Sequence, residues 1–282
     1  MLRGIYTGAS GMVAQMHRMD ALSNNLANVN VTGYKRDTAV FRSFPELMLR
    51  RMDDDGIRHF PLGSQDIAPV VGNLGTGVEL NEVYTIFEQG ALQETNNNFD
   101  LALEGEGFFA VQTPNGERYT RNGSFILNNE GILVTKEGFP VLGENGIIEI
   151  KENNFVVDED GNIFHNSTYS GDPEDLVSMQ ENEWENTELV DTLRIVSFNR
   201  SRYLEKQGIS LYRDSRHSGE AQTAQNDERP RVYQGFLESS NVNPVTQMVE
   251  MIEVNRAYEA SQKMIQNQDG LTGKLFNEAI RV

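Results

Sequence analysis

A chain of 282 residues with 38% hydrophobic and 23% charged side chains has room for one large domain or two small ones around a substantial core. It contains no cysteine, which removes disulfides, thiol catalysis and thiolate metal sites together. The net charge of −18 is uneven: residues 1–52 carry seven basic against three acidic side chains, residues 241–282 four against five, and the acidic excess lies between them. Such a balance argues against nucleic acid, which needs a basic face to neutralise phosphates, and no window approaches the ~18 apolar residues of a membrane helix.

The N-terminal stretch repeats Ile5, Met12, Met19 and Leu26 every seven positions, with Ala9 and Met16 between them. That is a heptad seam and predicts a helix with one apolar stripe. Asn28, Asn30 and Gly33 mark its end, because Asn and Gly accept the left-handed backbone that stops a helix. Gln15, His17, Arg18 and Asp20 interrupt the apolar run a signal peptide needs, so the expected route out of the cytoplasm, if any, uses no cleaved signal. Residues 52–77 combine a charge run with Gly and Pro and read as an extended connector.

From Phe99 to about Phe236 short apolar or alternating runs (GFFAVQT, ILVT, IIEI, LRIVSF) are separated by Asn115-Gly116, Asn122-Gly123, Asn128–Gly131 and Asn145-Gly146. Asn-Gly is a strong hairpin signal because both central residues of that turn need positive φ. The spacing predicts an antiparallel β domain without βαβ alternation. Residues 166–188 read as a polar, acidic surface insertion. Asn243-Pro244 then offers an N-cap and a first-turn proline. Met251, Val254, Tyr258, Ser261 and Ile265 follow at helical spacing, with Leu271 and Leu275 extending the stripe. The expected fold is α+β: terminal helices paired as an antiparallel coiled coil, with a mainly antiparallel β domain inserted between them.

Chemical motifs are weak. Asp158-Glu159-Asp160-Gly161-Asn162 resembles a calcium loop, but Ile163 and Tyr169 stand where Gly and Glu are required, so an acidic hairpin turn is expected. Gly105-Glu106-Gly107 opens a strand rather than a helix and is no dinucleotide loop. His17, His59, His165 and His217 lack metal-ligand spacing. Paired carboxylates are unavoidable among 42 acids, and the sole tryptophan, Trp184, sits in the polar insertion. No catalytic residue, metal site or cofactor is expected, and the reading is of a non-enzyme.

Three segments carry a resemblance. LSNNLANVNVTGYKR (22–36), the run from Phe99 to Gly143, and GFLESSNVNPVTQMVEMIEVNRAYEASQKMIQNQD (235–269) resemble, in order, the N-terminal, central and C-terminal signatures of the flagellar rod and hook protein family. The resemblance implies a subunit of the bacterial basal-body rod, exported to the periplasm through the flagellar channel. It would polymerise through its terminal helices into a torque-bearing shaft. Hook subunit, rod- or hook-associated scaffold and peptidoglycan hydrolase are the alternatives. Carried over by position, Asn24, Asn25, Leu26, Asn28, Gly33 and Lys35 join Ile5, Met12, Met16 and Met19 in the expected N-terminal assembly interface. Glu238, Asn241, Asn243, Met251, Val254, Arg256, Tyr258 and Ile265 form its C-terminal half. Implied partners are other copies, rod and hook subunits and surrounding ring proteins, with no nucleic acid and no membrane insertion. The implied organisation is a helical assembly domain (1–34 with 243–282), a connector bearing a rod-type extension (35–98) and a β-rich domain (99–242). VLGENGIIEI leans to a proximal and GTGV at 75–78 to a distal place in the rod, which stays open.

Overall fold

A computed structural model describes residues 2–51, 57–61, 63–66, 70–169, 186–223 and 229–279. Helix α1 spans Leu2–Ala27 and helix α2 spans Pro244–Ala279, with proline at the first helical position, where its missing N–H costs nothing. The chain divides into two compact units. One comprises residues 1–24, 38–84 and 245–282; the other comprises 25–37 and 85–244.

In the helical unit the two helices touch and run in opposite directions. A Cβ placed on Gly4 would meet Gln268 at 2.6 Å, one on Gly8 would meet Ile265 at 2.9 Å, and one on Gly11 would lie 3.6 Å from Ser261. Glycine inside a helix costs about 1 kcal/mol relative to alanine. Here three of them, spaced by four and three, let the backbones approach.

The same unit holds a finding the sequence does not announce. Asp37–Ser43 pairs with Val78–Thr85, Leu47–Arg50 with Val70–Leu74, and Ile57–Phe60 with Gly63–Asp66. These nested pairs make one antiparallel ribbon where an extended connector was expected, with a register shift between Leu49 and Arg50. Part of that connector, residues 52–56, 62 and 67–69, lies outside the described residues. A two-stranded ribbon has no core of its own, so it needs no apolar alternation to betray it. At its base Val78 N–H donates to Ser10 Oγ on α1 at 3.4 Å.

The β unit is built on a six-stranded sheet in the order Glu205–Gln207, Leu211–Arg213, Gly116–Thr120, Phe108–Thr113, Ile195–Ser197, Gln222–Thr223. Its five pairings are all antiparallel. Phe108–Thr113 explains the uninterrupted apolar run GFFAV. Phe109 and Val111 enter one core cluster with Phe125, Ile148 and Leu193, while Phe108 and Ala110 enter a second with Tyr119, Phe198 and Tyr212. Side chains alternate across a strand, and this one is covered on both faces.

Pro114-Asn115 makes the turn from Phe108–Thr113 to Gly116–Thr120, with Gly116 at φ +102. The acidic turn Asp158–Gly161 links Val156–Val157 to Asn162–Asn166, with Gly161 at φ +79. Asn122-Gly123 departs from the hairpin expectation. Asn122 Oδ1 accepts from Thr32 Oγ1 at 2.7 Å and from Ser124 N at 3.1 Å, while Gly123 is packed onto the Leu101 carbonyl. Glycine is required there for close approach of two backbones, not for a turn. Most of the acidic insertion, residues 170–185 with Trp184, lies outside the described residues.

Candidate functional site

Within the β unit, residues of all three signature segments converge on a buried polar junction. Lys35 Nζ donates to Glu238 Oε1 at 2.5 Å and to the Glu88 carbonyl at 2.7 Å. The same carboxylate accepts from Gly90 N at 2.8 Å and faces Arg121 Nη1 at 3.5 Å. Side-chain exposure is 0% for Lys35, 1% for Glu238 and 3% for Arg121. One anion thus holds two cations away from water. Burial pushes the Lys35 ammonium below the ordinary lysine range, and the Glu238 carboxylate pulls it back up. Arg121 is likewise lowered by burial and supported by Glu238.

Around this triad the residues expected from the N-terminal signature act on the backbone. Asn25 Nδ2 donates to the Asp37 carbonyl at 2.9 Å, and its Oδ1 accepts from Asp37 N at 2.8 Å and Tyr34 Oη at 3.2 Å. Asn241 Oδ1 accepts from Arg36 N at 2.8 Å, while its Nδ2 donates to the Ile86 and Glu88 carbonyls at 2.9 and 3.1 Å. Gly33, at φ +66, donates its N–H to the Glu238 carbonyl at 2.8 Å. A Cβ there would fall 2.5 Å from the carbonyl carbon of Arg121, so the position excludes any other residue.

Sequence reasoning missed Arg121, Asp37, Lys206, Tyr34 and Tyr212. Arg121 stands beside Asn122 in the central signature. Asp37 accepts from Thr85 Oγ1 at 2.7 Å and Lys206 Nζ at 2.9 Å, and Lys206 also lies 4.0 Å over the Tyr34 ring. Nothing local in the sequence marks Lys206. Tyr34 and Tyr212 are both raised above the ordinary phenol range, first by burial and then by Asp37.

The structure thus places Asn25, Gly33, Lys35 and Glu238, expected at an interface, inside the chain. Asn241, Leu26 and Asn28 are partly covered. Their chemistry is that of an internal clamp between distant segments: satisfied donors, matched charge and close backbone packing.

The helical unit presents the second candidate surface. The expected α2 stripe is covered within the chain: Val254 is buried, and Met251, Tyr258, Ser261 and Ile265 are partly so. Ile5, Met12 and Met19 on α1 are partly covered, whereas Met16 is exposed. Asn24, Asn243 and Arg256 sit on exposed positions. The extension of the stripe through Leu271 and Leu275 is corrected: both are exposed, and the partly covered positions are Gln268 and Thr272. The reason is length. Gln268 already faces Gly4, so α1 has almost nothing left to cover the end of α2.

A different set of apolar side chains faces outwards. Tyr6 is 69% exposed, with Val13 and Met16 on α1; on α2, Val245 is 69% exposed, with Met248, Val249, Ile252 and Phe276. The ribbon adds Leu47, Met48, Leu49, Val70 and Val71. Among the described residues no group of three or more His, Cys, Asp or Glu is placed to hold a metal ion, and no helix is long and apolar enough to cross a membrane. A cavity of about 550 Å³ is lined by Asn128, Glu130, Glu149, Lys151, Glu152 and His165 among others, with no Phe, Tyr or Trp in its wall.

Comparison with known proteins bears on both surfaces. Residues 5–35 match the family described as flagella basal body rod protein, 102–165 the flagellar hook protein FlgE/F/G D1 domain, and 233–278 the flagellar basal body rod FlgEFG protein C-terminal region. The chain is 32% identical over 277 residues to the flagellar basal-body rod protein FlgG of Borreliella burgdorferi, covering 97% of each chain. The chain belongs to the flagellar basal-body rod protein family. It is also 34% identical to FlgG of Buchnera aphidicola subsp. Acyrthosiphon pisum, covering 98% of this chain and 99% of the relative. To the flagellar hook-basal body complex protein FlhO of Bacillus subtilis it is 32% identical, covering 99% and 98%. The N- and C-terminal matches take in the helices, and all three matches contribute to the clamp.

Proposed function

We propose that this chain is a structural subunit of the flagellar basal-body rod and polymerises through the outward faces of its terminal helices. The observation that carries this reading is the set of large apolar side chains the helical pair leaves uncovered. Gly4, Gly8 and Gly11 let α1 pass close to α2 and Val254 is buried within the chain, while Tyr6, Val13, Val249, Ile252 and Phe276 stand outside. A helix normally buries its larger apolar residues. Covering each outer Tyr, Val or Ile fully is worth roughly 1.5–3 kcal/mol, so other helices that reach these faces gain a strong incentive to stay.

The occupants are further copies of this chain and sister axial subunits of the rod and hook. Residues 1–34 and 243–282 then form the assembly domain, packed as a coiled-coil layer around the axis, with 35–98 as its extension and 99–242 outside. In this arrangement Met16, Asn24, Asn243 and Arg256 meet neighbours directly. Asn25, Gly33, Lys35, Glu238 and Asn241 contribute by holding the segments next to the helices in one shape. Contacts that advance by a rotation that does not close generate a helical shaft, and torque passes through many such contacts in parallel. Rod ring proteins surround the β-rich domain.

The test replaces Tyr6, Val249 and Ile252 together by serine. Far-ultraviolet circular dichroism of the monomer is expected to match wild type, because these side chains support little within the chain, while sedimentable polymer and swimming are lost. Wild-type polymerisation by the triple variant would refute the outer faces as the assembly surface.

A further inference from the structure

The chain has ten methionines and no cysteine, so thioethers are its only sulfur nucleophiles. Seven methionines fall among the described residues, and they separate into two groups. Met16 is 51% exposed, Met48 57%, Met248 52% and Met264 49%, whereas Met12, Met19 and Met251 are partly covered. The exposed four are not scattered. Met16 shares the outer side of α1 with Val13, Met248 lies among Val245, Val249 and Ile252 on α2, and Met48 stands between Leu47 and Leu49 on the ribbon. Met264, though half exposed, holds its Sδ 3.6 Å from where a Cβ on Gly8 would stand, at the contact of α1 with α2.

We propose that Met16, Met48, Met248 and Met264 form an oxidation-sensitive set through which peroxide controls assembly of this subunit; the proposal rests on the outer faces being the polymerising surface. The chemistry is complete with hydrogen peroxide as the oxidant. A sulfur lone pair attacks one peroxide oxygen, the O–O bond breaks as the S–O bond forms, and the departing hydroxide gains a proton to leave as water. The thioether loses two electrons and the peroxide gains them. The product sulfoxide is polar and chiral where the parent group was flexible and apolar. Packed against an apolar neighbour it leaves a strong acceptor without a donor, which disfavours association. Oxidation before assembly therefore withholds the subunit. Once assembled, the same sulfurs are shielded by their neighbours.

The experiment treats full-length monomer with hydrogen peroxide, maps added oxygen by peptide mass spectrometry, and measures by sedimentation the concentration at which polymer first forms. A variant with all four residues changed to leucine, a volume-conserving replacement, is run in parallel after circular dichroism shows it folded. The expected result is oxygen at Met16, Met48, Met248 and Met264 before Met12, Met19 and Met251. A rise of about tenfold or more in the threshold concentration follows for wild type, and none for the leucine variant. Oxidation of the covered methionines first, or an unchanged threshold in wild type oxidised at all four sites, would overturn the proposal with the assembly reading intact. Failure of untreated wild type to polymerise would instead overturn the assembly reading on which it rests.

Discussion

Replacing Glu238 by Gln keeps the side-chain volume and removes the only carboxylate that faces both Lys35 and Arg121. All three side chains are 3% exposed or less, so water cannot take over the lost charge. Breaking a buried ion pair by removing one partner costs about 3–5 kcal/mol, because the remaining charge stays buried and uncompensated. Two cations are stranded here, which puts the expected loss at the upper end of that range. Against a typical total of about 5–15 kcal/mol, this is a third of the stability or more. In urea, with a slope of about 1–3 kcal/mol per molar, the midpoint should fall by roughly 2–5 M. The comparison is Glu205→Gln, which breaks the Arg213–Glu205 pair, whose side chains are 44% and 54% exposed; exposed pairs contribute about 1 kcal/mol or less. Lys35→Met in the Glu238→Gln background should recover part of the loss, since only Arg121 then lacks its anion. If Glu238→Gln costs no more than Glu205→Gln, the clamp is not desolvated and the argument fails.

Two further outcomes can be measured with the same protein. Gly33→Ala should lose more than about 2 kcal/mol in urea unfolding, combining positive φ with a clash against the Arg121 backbone. Gly208→Ala, at φ +72 with open space around it, should lose about 1 kcal/mol; equal losses would remove the case for close approach at Gly33. Burial pushes the Tyr119 hydroxyl up to about 12 and also raises Tyr34 and Tyr212. A folded pKa above the unfolded value means that this stability is intact below about pH 10 and is lost as pH climbs towards the folded values. Ionisation of these three phenols, read as the difference in absorbance between wild type and a variant with all three changed to phenylalanine, should therefore coincide with the loss of circular dichroism; their ionisation in a still-folded chain would contradict the buried environment.

The helices and most strands were legible because their signals are local. Pro244 at the start of α2, the acidic turn with Gly161 at positive φ and the doubly covered run of Phe108–Thr113 each express a rule within one element. The ribbon was not legible, because main-chain hydrogen bonds define it and its side chains follow no core. The clamp was half legible. The resemblance pointed to Asn25, Gly33, Lys35, Glu238 and Asn241, yet as interface residues, because a motif does not say whether its members face a neighbour or each other. Lys206 had no signal at all.

What the chain determined by itself is therefore the list of elements: two terminal helices with an apolar periodicity each, and alternating strands separated by residues that tolerate positive φ. These follow from backbone geometry repeating over a few residues. Which face of each helix is covered, and which cation meets which anion, was decided only by tertiary structure. Glycines on α1 let α2 come close at Ser261 and Ile265 of its stripe, and Lys35 finds Glu238 across a separation of 203 residues. Burial depends on what chain closure brings alongside, and no local period records it.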